Sequence, residues 1–241
     1  MGRSDRAERV IRRGVVRRLF GLMGSLGAAL LGAGLLETGG PAAAEPTLRV
    51  LFVGNSFTRQ HDVPARVAAR AEADGISLRP TMLARDGARL SEHLARGLEA
   101  RLAEGWDAVV VQGFSTEALY PDRAARAEAA FARIAAAAQP APVVLFQPWP
   151  RAPGHRFYAA PERIGFVPPG SPAEMAARVH AFYARLATAT GADLAPVGLV
   201  WARETAAGAR LYAADRYHAN PDGAALAARE IWAALRPALG R

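Results

Sequence analysis

Residues 48–75 read LRVLFVGNSFTRQHDVPARVAARAEADG, and this stretch decides the fold. Leu48 to Val53 is a short apolar, β-branched run stopping at Gly54, which has the length and composition of a buried strand. Asp62 then stands as a cap before Val63-Pro64, with proline inside a helix's first turn where its missing N–H costs nothing. Helical spacing of apolar residues continues over 62–74, and Gly75 stops it. The whole is one strand–turn–helix unit.

The unit repeats outward along the chain. Strands are predicted at 76–83, 106–112 (WDAVVVQ), 142–147 (PVVLFQ) and 193–197; helices at 90–103, 121–138, 172–190, 198–206 and 221–235. Alternation of this kind implies parallel strands joined by right-handed crossovers, with helices on both faces, so an α/β three-layer sandwich around a sheet of about five strands. Residues 106–112 and 142–147 are apolar almost throughout, as strands covered on both faces should be. Residues 148–170, with prolines at 148, 150, 153, 161, 168 and 169, are too long for an ordinary connection. That segment reads as a lid or wall over a site, or as a mobile loop. Ligands of open parallel sheets lie beyond the strands' carboxyl ends. Three polar, glycine-bearing stretches fall there: Gly54-Asn55-Ser56, Asp86-Gly87 and Gln112-Gly113-Phe114-Ser115.

Of the 241 residues, 51% are hydrophobic, enough for one domain over 45–241. The formal charge of +8 does not point to nucleic acid. The first 44 residues hold seven arginines against Asp5, Glu8 and Glu37, leaving 23 arginines against 19 acidic residues spread without a basic run. All 30 basic residues are arginine, a usage that reflects base composition rather than a phosphate-binding surface. With no cysteine, disulfides, thiolate metal sites and a cysteine nucleophile are excluded. No two histidines have metal-ligand spacing, so a metal site is not expected.

Arg12, Arg13, Arg17 and Arg18 precede an apolar run over 19–36, then Gly39-Gly40-Pro41 and Ala42-Ala43-Ala44. A basic region, an apolar core and a small-residue exit predict a signal peptide over 1–44, removed on export to the periplasm or medium and leaving no stable membrane insertion. Val16-Arg17-Arg18-Leu19-Phe20 is similar to a twin-arginine signal. The competing reading is an uncleaved anchor.

Two stretches carry chemistry. Ser56 follows the first strand, and a serine hydroxyl needs a histidine in reach to take its proton. Asp215-Arg216-Tyr217-His218 precedes Pro221, which opens the last helix. A carboxylate three residues before a histidine on a tight turn can accept the Nδ1 proton and leave Nε2 free for the serine. Gly-x-Ser-x-Gly is absent, because position 58 is threonine, which argues against the α/β-hydrolase elbow.

Gly54-Asn55-Ser56 early and Asp215-x-x-His218 late resemble the first and last blocks of the SGNH (GDSL-like) hydrolases. The resemblance spans nearly all of 45–241 and implies a flavodoxin-like strand order. It further implies a Ser56-His218-Asp215 triad cleaving acyl or acetyl esters, on a small molecule or a glycan, without a cofactor. The oxyanion hole it implies uses the N–H groups of Ser56 and Gly87. The third block, usually Gly-x-Asn-Asp, reads Gly113-Phe114-Ser115-Thr116 here, so Ser115 or Gln112 is expected to replace the asparagine amide. A divergent branch carries a similar Gln-x-x-Ser. A weakly catalytic binding domain and acetyl transfer to glycans are the alternatives.

The remaining candidates are weaker. Asn55, Trp149 and His155 are possible substrate contacts, although Asn55 equally suits the nucleophile turn and the aromatics Trp149, Phe157 and Tyr158 equally suit a core. His61, Asp62, His93 and His180 read as capping, surface or structural residues.

Overall fold

A computed structural model describes residues 46–163 and 165–241. The predicted signal over 1–44 lies outside the described residues. Five parallel strands form one sheet in the order β2-β1-β3-β4-β5, the flavodoxin-like arrangement. They are β1 (Leu48–Gly54), β2 (Leu78–Ala84), β3 (Ala108–Val111), β4 (Val143–Phe146) and β5 (Asp193–Ala195). Every residue of β3 and β4 is buried, which is why those runs are apolar without alternation.

Alternate residues of β1 feed two cores. Val50 and Phe52 pack with helices α2 (Val63–Ala73), α7 (Val197–Ala206) and α8 (Pro221–Ala238) on one face. Leu51 and Val53 pack on the other with α3 (Leu90–Leu94), α4 (Leu98–Leu102), α5 (Pro121–Ala138) and α6 (Pro172–Thr190). Helix starts follow the expected chemistry. Ser171 Oγ accepts from Glu174 N at 3.1 Å ahead of Pro172, and Asn220 Oδ1 accepts from Gly223 N at 2.8 Å ahead of Pro221.

The predicted helix over 90–103 is in fact the pair α3 and α4, broken at Gly97, which adopts a left-handed φ of 87°. Leu90, Leu94, Leu98 and Leu102 all remain buried across the break, so the four-residue spacing masks it. A further helix absent from the prediction, α1 (Ser56–Arg59), directly follows β1 and is too short to show a period. Among the described residues no helix is long and apolar enough to cross a membrane.

All five strands run the same way, so their carboxyl ends share one edge of the sheet. Ser56, Gly87, Ser115 and Arg151 follow β1, β2, β3 and β4 respectively, and Asp215 to His218 precede α8. The topology gathers five segments at that edge.

Candidate active site

Ser56 opens α1, so its N–H is among the donors a helix start leaves without an internal partner. The turn before it is held from below. Asn55 Oδ1 accepts from Phe57 N at 3.1 Å, Asn55 Nδ2 donates to Ala88 O at 3.3 Å, and Asn55 N donates to Gln112 Oε1 at 3.0 Å. Thr58 Oγ1 donates to the same Gln112 oxygen at 3.0 Å, and the Gln112 amide donates to Gly113 O. Position 54 favours glycine: a β-carbon there would overlap Thr58 Oγ1 and lie 2.8 Å from Gln112 Oε1, so those side chains would have to shift. His93, buried, donates from Nε2 to Gly54 O at 2.9 Å, and burial pushes its pKa down, favouring the neutral ring that makes this bond.

Two contacts set the Gly87 turn against the Ser56 turn. One is the Asn55–Ala88 bond; the other is a bidentate pair from Arg59 of α1 to Asp86, at 2.8 and 2.6 Å. Gly87 sits at φ 69°, a region that glycine enters without strain.

His218 Nε2 lies 3.0 Å from Ser56 Oγ, across 162 residues of sequence. Its Nδ1 lies 2.6 Å from Asp215 Oδ2. An ionised carboxylate only accepts, so Nδ1 carries the proton and Nε2 is free to accept from the Ser56 hydroxyl. The second Asp215 oxygen accepts from the N–H groups of Tyr217 and His218, both at 2.9 Å. Burial alone would raise the Asp215 pKa, but the His218 ring and these two N–H groups together hold it below the usual carboxylate value. The serine is buried, with 5% exposure, while the Asp215 side chain is 48% exposed, so the array opens to solvent at its acid end.

Several expected contacts resolve differently. Gln112 is no oxyanion donor: its carbonyl is drawn to Asn55 N and Thr58, which turns its amide onto Gly113 O. Asn55 is a framework residue, 3% exposed, not a substrate contact. Trp149 is likewise buried, stacked between Phe57 at 4.0 Å and Trp201 at 4.4 Å between ring centres. Its indole N–H donates to Tyr217 O at 3.0 Å, next to His218, so it props the turn of Asp215 and His218 instead of lining a pocket. His155 is half-buried and caps a 3₁₀ turn, its Nδ1 accepting from Phe157 N at 3.0 Å. His61 donates to Ala219 O, Asp62 caps α2, and His180 bonds Gln147, all structural as read.

Ser115, the other side chain expected in place of the asparagine, follows β3 and is 3% exposed. Sequence reasoning missed what holds it: Arg151 Nη2 donates to Ser115 Oγ at 3.1 Å. Nothing in the proline-rich segment marked that arginine out. Among the described residues no group of three or more His, Asp and Glu side chains is placed to hold a metal ion.

No family model and no curated protein matches the chain. Solved structures do. A protein from Slackia heliotrinireducens described as an SGNH hydrolase is 32% identical, with a TM-score of 0.62, covering 79% of this chain and 100% of its own. The acetylxylan esterase Axe2 from Geobacillus stearothermophilus shares 15% identity at a TM-score of 0.58, over 80% of this chain and 94% of its own. A lipase/acylhydrolase from Enterococcus faecalis shares 16% at 0.60, over 81% and 97%. The last two are alike in fold, whereas the first, spanned over its full length, carries the family: this chain belongs to the SGNH hydrolases.

Proposed function

We propose that the chain is an exported serine esterase that cleaves acyl or acetyl esters, with carbohydrate esters as the substrate class. The observation that carries the reading is the 3.0 Å approach of Ser56 Oγ to His218 Nε2, in line with the 2.6 Å contact to Asp215. Ser56 Oγ bonds to the ester carbonyl carbon, the π pair moves onto the carbonyl oxygen, and the hydroxyl proton passes to His218 Nε2. Asp215 fixes the ring's tautomer and stabilises the imidazolium. The N–H groups of Ser56 and Gly87 and the Ser115 hydroxyl receive the oxyanion. His218 then returns the proton to the leaving alcohol, and water releases the acyl group by the reverse path. Support for an acetylated glycan comes from the acetylxylan esterase among the similar folds, and support for export comes from the arginine-led apolar segment over 1–44.

The test is a panel of chromogenic esters from acetate to long acyl chains. Ser56→Ala and His218→Ala should each lower turnover by about 10⁴-fold or more, with the double variant little slower than either, because the pair acts as a unit. Independent, multiplying losses would refute the mechanism. Ser115 in place of asparagine motivates a second reading, a binding domain with little chemistry; intact protein that takes no serine-directed fluorophosphonate label would favour it. Supplying a glycan acceptor beside water separates acetyl transfer from hydrolysis.

A further inference from the structure

Two unmet electrostatic demands of the same sign meet beside the triad. Arg151 is 7% exposed, and among the described residues no carboxylate lies within ion-pair distance of it. Its Nη1 is closed to solvent and has no hydrogen-bond partner. Burial of an uncompensated cation is costly, and a guanidinium does not escape the cost by losing its proton at any working pH. The charge is held by aromatic faces: its carbon lies 3.8 Å from the centre of the Tyr217 ring, 6.0 Å from Phe57 and 5.9 Å from Phe157. Tyr217 precedes His218 and Phe57 follows Ser56 in the chain, so the cation lies against the rings next to both residues.

The second demand is at Ser115. Guanidinium nitrogens only donate, so in the 3.1 Å contact the serine oxygen is the acceptor. The Ser115 hydroxyl proton must therefore point elsewhere, and it has no acceptor among the described residues although the side chain is buried. A buried donor without an acceptor and a buried cation without an anion are both satisfied by one negatively charged oxygen. Asp215, the carboxylate of this site, is paired with His218 and not with Arg151, so the oxygen that would answer both is the one that becomes negative when Ser56 attacks a carbonyl.

We propose that Arg151 is the charge of the oxyanion hole, acting through Ser115 as a positioning residue. The inference rests on the Ser56 reading above. Arg151 fixes the Ser115 rotor, polarises its O–H, and aims that proton at the oxygen that becomes negative. The proton is shared in a hydrogen bond and not transferred; the only proton that moves is the one passing from Ser56 to His218. A shorter side chain backed by a cation thus stands in for an asparagine amide. The guanidinium's hydrogen bond to a side chain of the site is the one to Ser115, so the charge acts on the oxyanion through that hydroxyl, in the transition state.

The test uses p-nitrophenyl acetate, a neutral ester, with Arg151→Met, Ser115→Ala and the double variant. Arg151→Met should lower kcat by about 10–100-fold with KM little changed, a partial loss of one oxyanion donor. Its thermal midpoint should be no lower than that of the parent, because an apolar chain of similar length replaces an unpaired buried charge. Ser115→Ala should show a similar fall in kcat, and the double variant should be no slower than the slower single one. Rate lost only together with a lowered midpoint would make Arg151 framework and overturn the relay. So would an unchanged kcat, or a loss confined to esters that carry a carboxylate. Ser56→Ala is run alongside: if it abolishes hydrolysis while Arg151→Met does nothing, only the relay falls, and if it leaves hydrolysis intact, the serine reading falls and takes the relay with it.

Discussion

Replacing Asp215 with asparagine separates the two tasks that this side chain performs. One carboxylate oxygen accepts the N–H groups of Tyr217 and His218, both at 2.9 Å, and so builds the turn; the other accepts His218 Nδ1–H at 2.6 Å. In Asp215→Asn the amide oxygen can keep both turn bonds. The amide NH₂ then faces Nδ1, which must give up its proton to accept. The ring proton moves to Nε2, where it points at Ser56 Oγ, 3.0 Å away, and the ring cannot take the serine's proton. The expected loss is the wrong-tautomer loss, about 10⁴-fold in kcat or roughly 5.4 kcal/mol of barrier. The thermal midpoint should change little, because the turn bonds survive and the lost carboxylate is half-exposed. The assay is kcat on p-nitrophenyl acetate, normalised to sites that react with a fluorophosphonate probe, beside a melting curve. Asp215→Ala, which loses both tasks, should be equally slow and melt lower. A kcat for Asp215→Asn within tenfold of the parent, with the fold intact, would refute the assignment of Asp215 as the tautomer-setting group.

Three further outcomes follow from the framework. Gly54→Ala drives a methyl into Thr58 and Gln112, both buried and both bracing the nucleophile turn, and should cost about 1–3 kcal/mol of stability in denaturant unfolding while lowering kcat. Trp149→Ala removes the centre of a three-ring stack and the donor to Tyr217 O; about 3–5 kcal/mol should be lost, seen as a midpoint lower by roughly 10 °C. Acid should weaken the fold below about pH 6.5, because burial holds His93 and His180 below the ordinary histidine pKa, and burial with Arg151 does so for His155. A depressed folded-state pKa means that the unfolded chain binds the proton first, so the stability is present above the unfolded value and is lost as pH falls through the folded one. Unfolding free energies measured from pH 8 to 5 should decline over that window, and His93→Gln should flatten part of the decline; a flat profile for the parent would contradict the burial argument.

The fold was legible wherever one physical cause acted locally. Strands β3 and β4, and β1 from Val50 on, are buried on both faces and therefore apolar in unbroken runs, and α8 starts at Pro221, the proline that announced it. The break between α3 and α4 was hidden because leucines four apart serve two short helices as well as one long one. Ser56 was singled out by a strand-end turn, and Asp215 with His218 by a carboxylate three residues before a histidine; it is the fold that brings the three side chains to 3.0 and 2.6 Å of one another. Gln112 was misjudged because its type announces an amide donor, whereas its carbonyl is required by Asn55 N and Thr58, and a planar amide cannot turn both ends into the site. Arg151 left no trace, and for Trp149 pocket and core were both open, since the partners that decide, Ser115, Tyr217, Phe57 and Trp201, come from four other segments.

The proline-rich segment offered three readings, and its bonds select among them. Trp149 donates to Tyr217 O at 3.0 Å, Ala152 N to Arg216 O at 3.1 Å, and Arg216 in return to Pro153 O. Tyr212 donates to Pro150 O at 3.1 Å, and Tyr158 to Arg151 O at 2.6 Å. The first three run directly between residues 149–153 and the turn that carries Asp215 and His218. A lid must leave its site to admit substrate, and this stretch cannot leave without breaking the turn that positions His218. Residues 149–153 are therefore a wall, and their rigidity has a use: proline fixes the backbone at 150 and 153, so that holding His218 costs little chain entropy. The same wall carries Arg151. If the base and the oxyanion charge are borne by one braced element, a change that loosens it should lower proton transfer and oxyanion stabilisation together. Pro150→Gly, which frees the backbone between Trp149 and Arg151, should then reduce kcat by more than either its modest stability loss or the Arg151→Met effect accounts for, and a kcat loss no larger than that of Arg151→Met would show that the two functions are held independently.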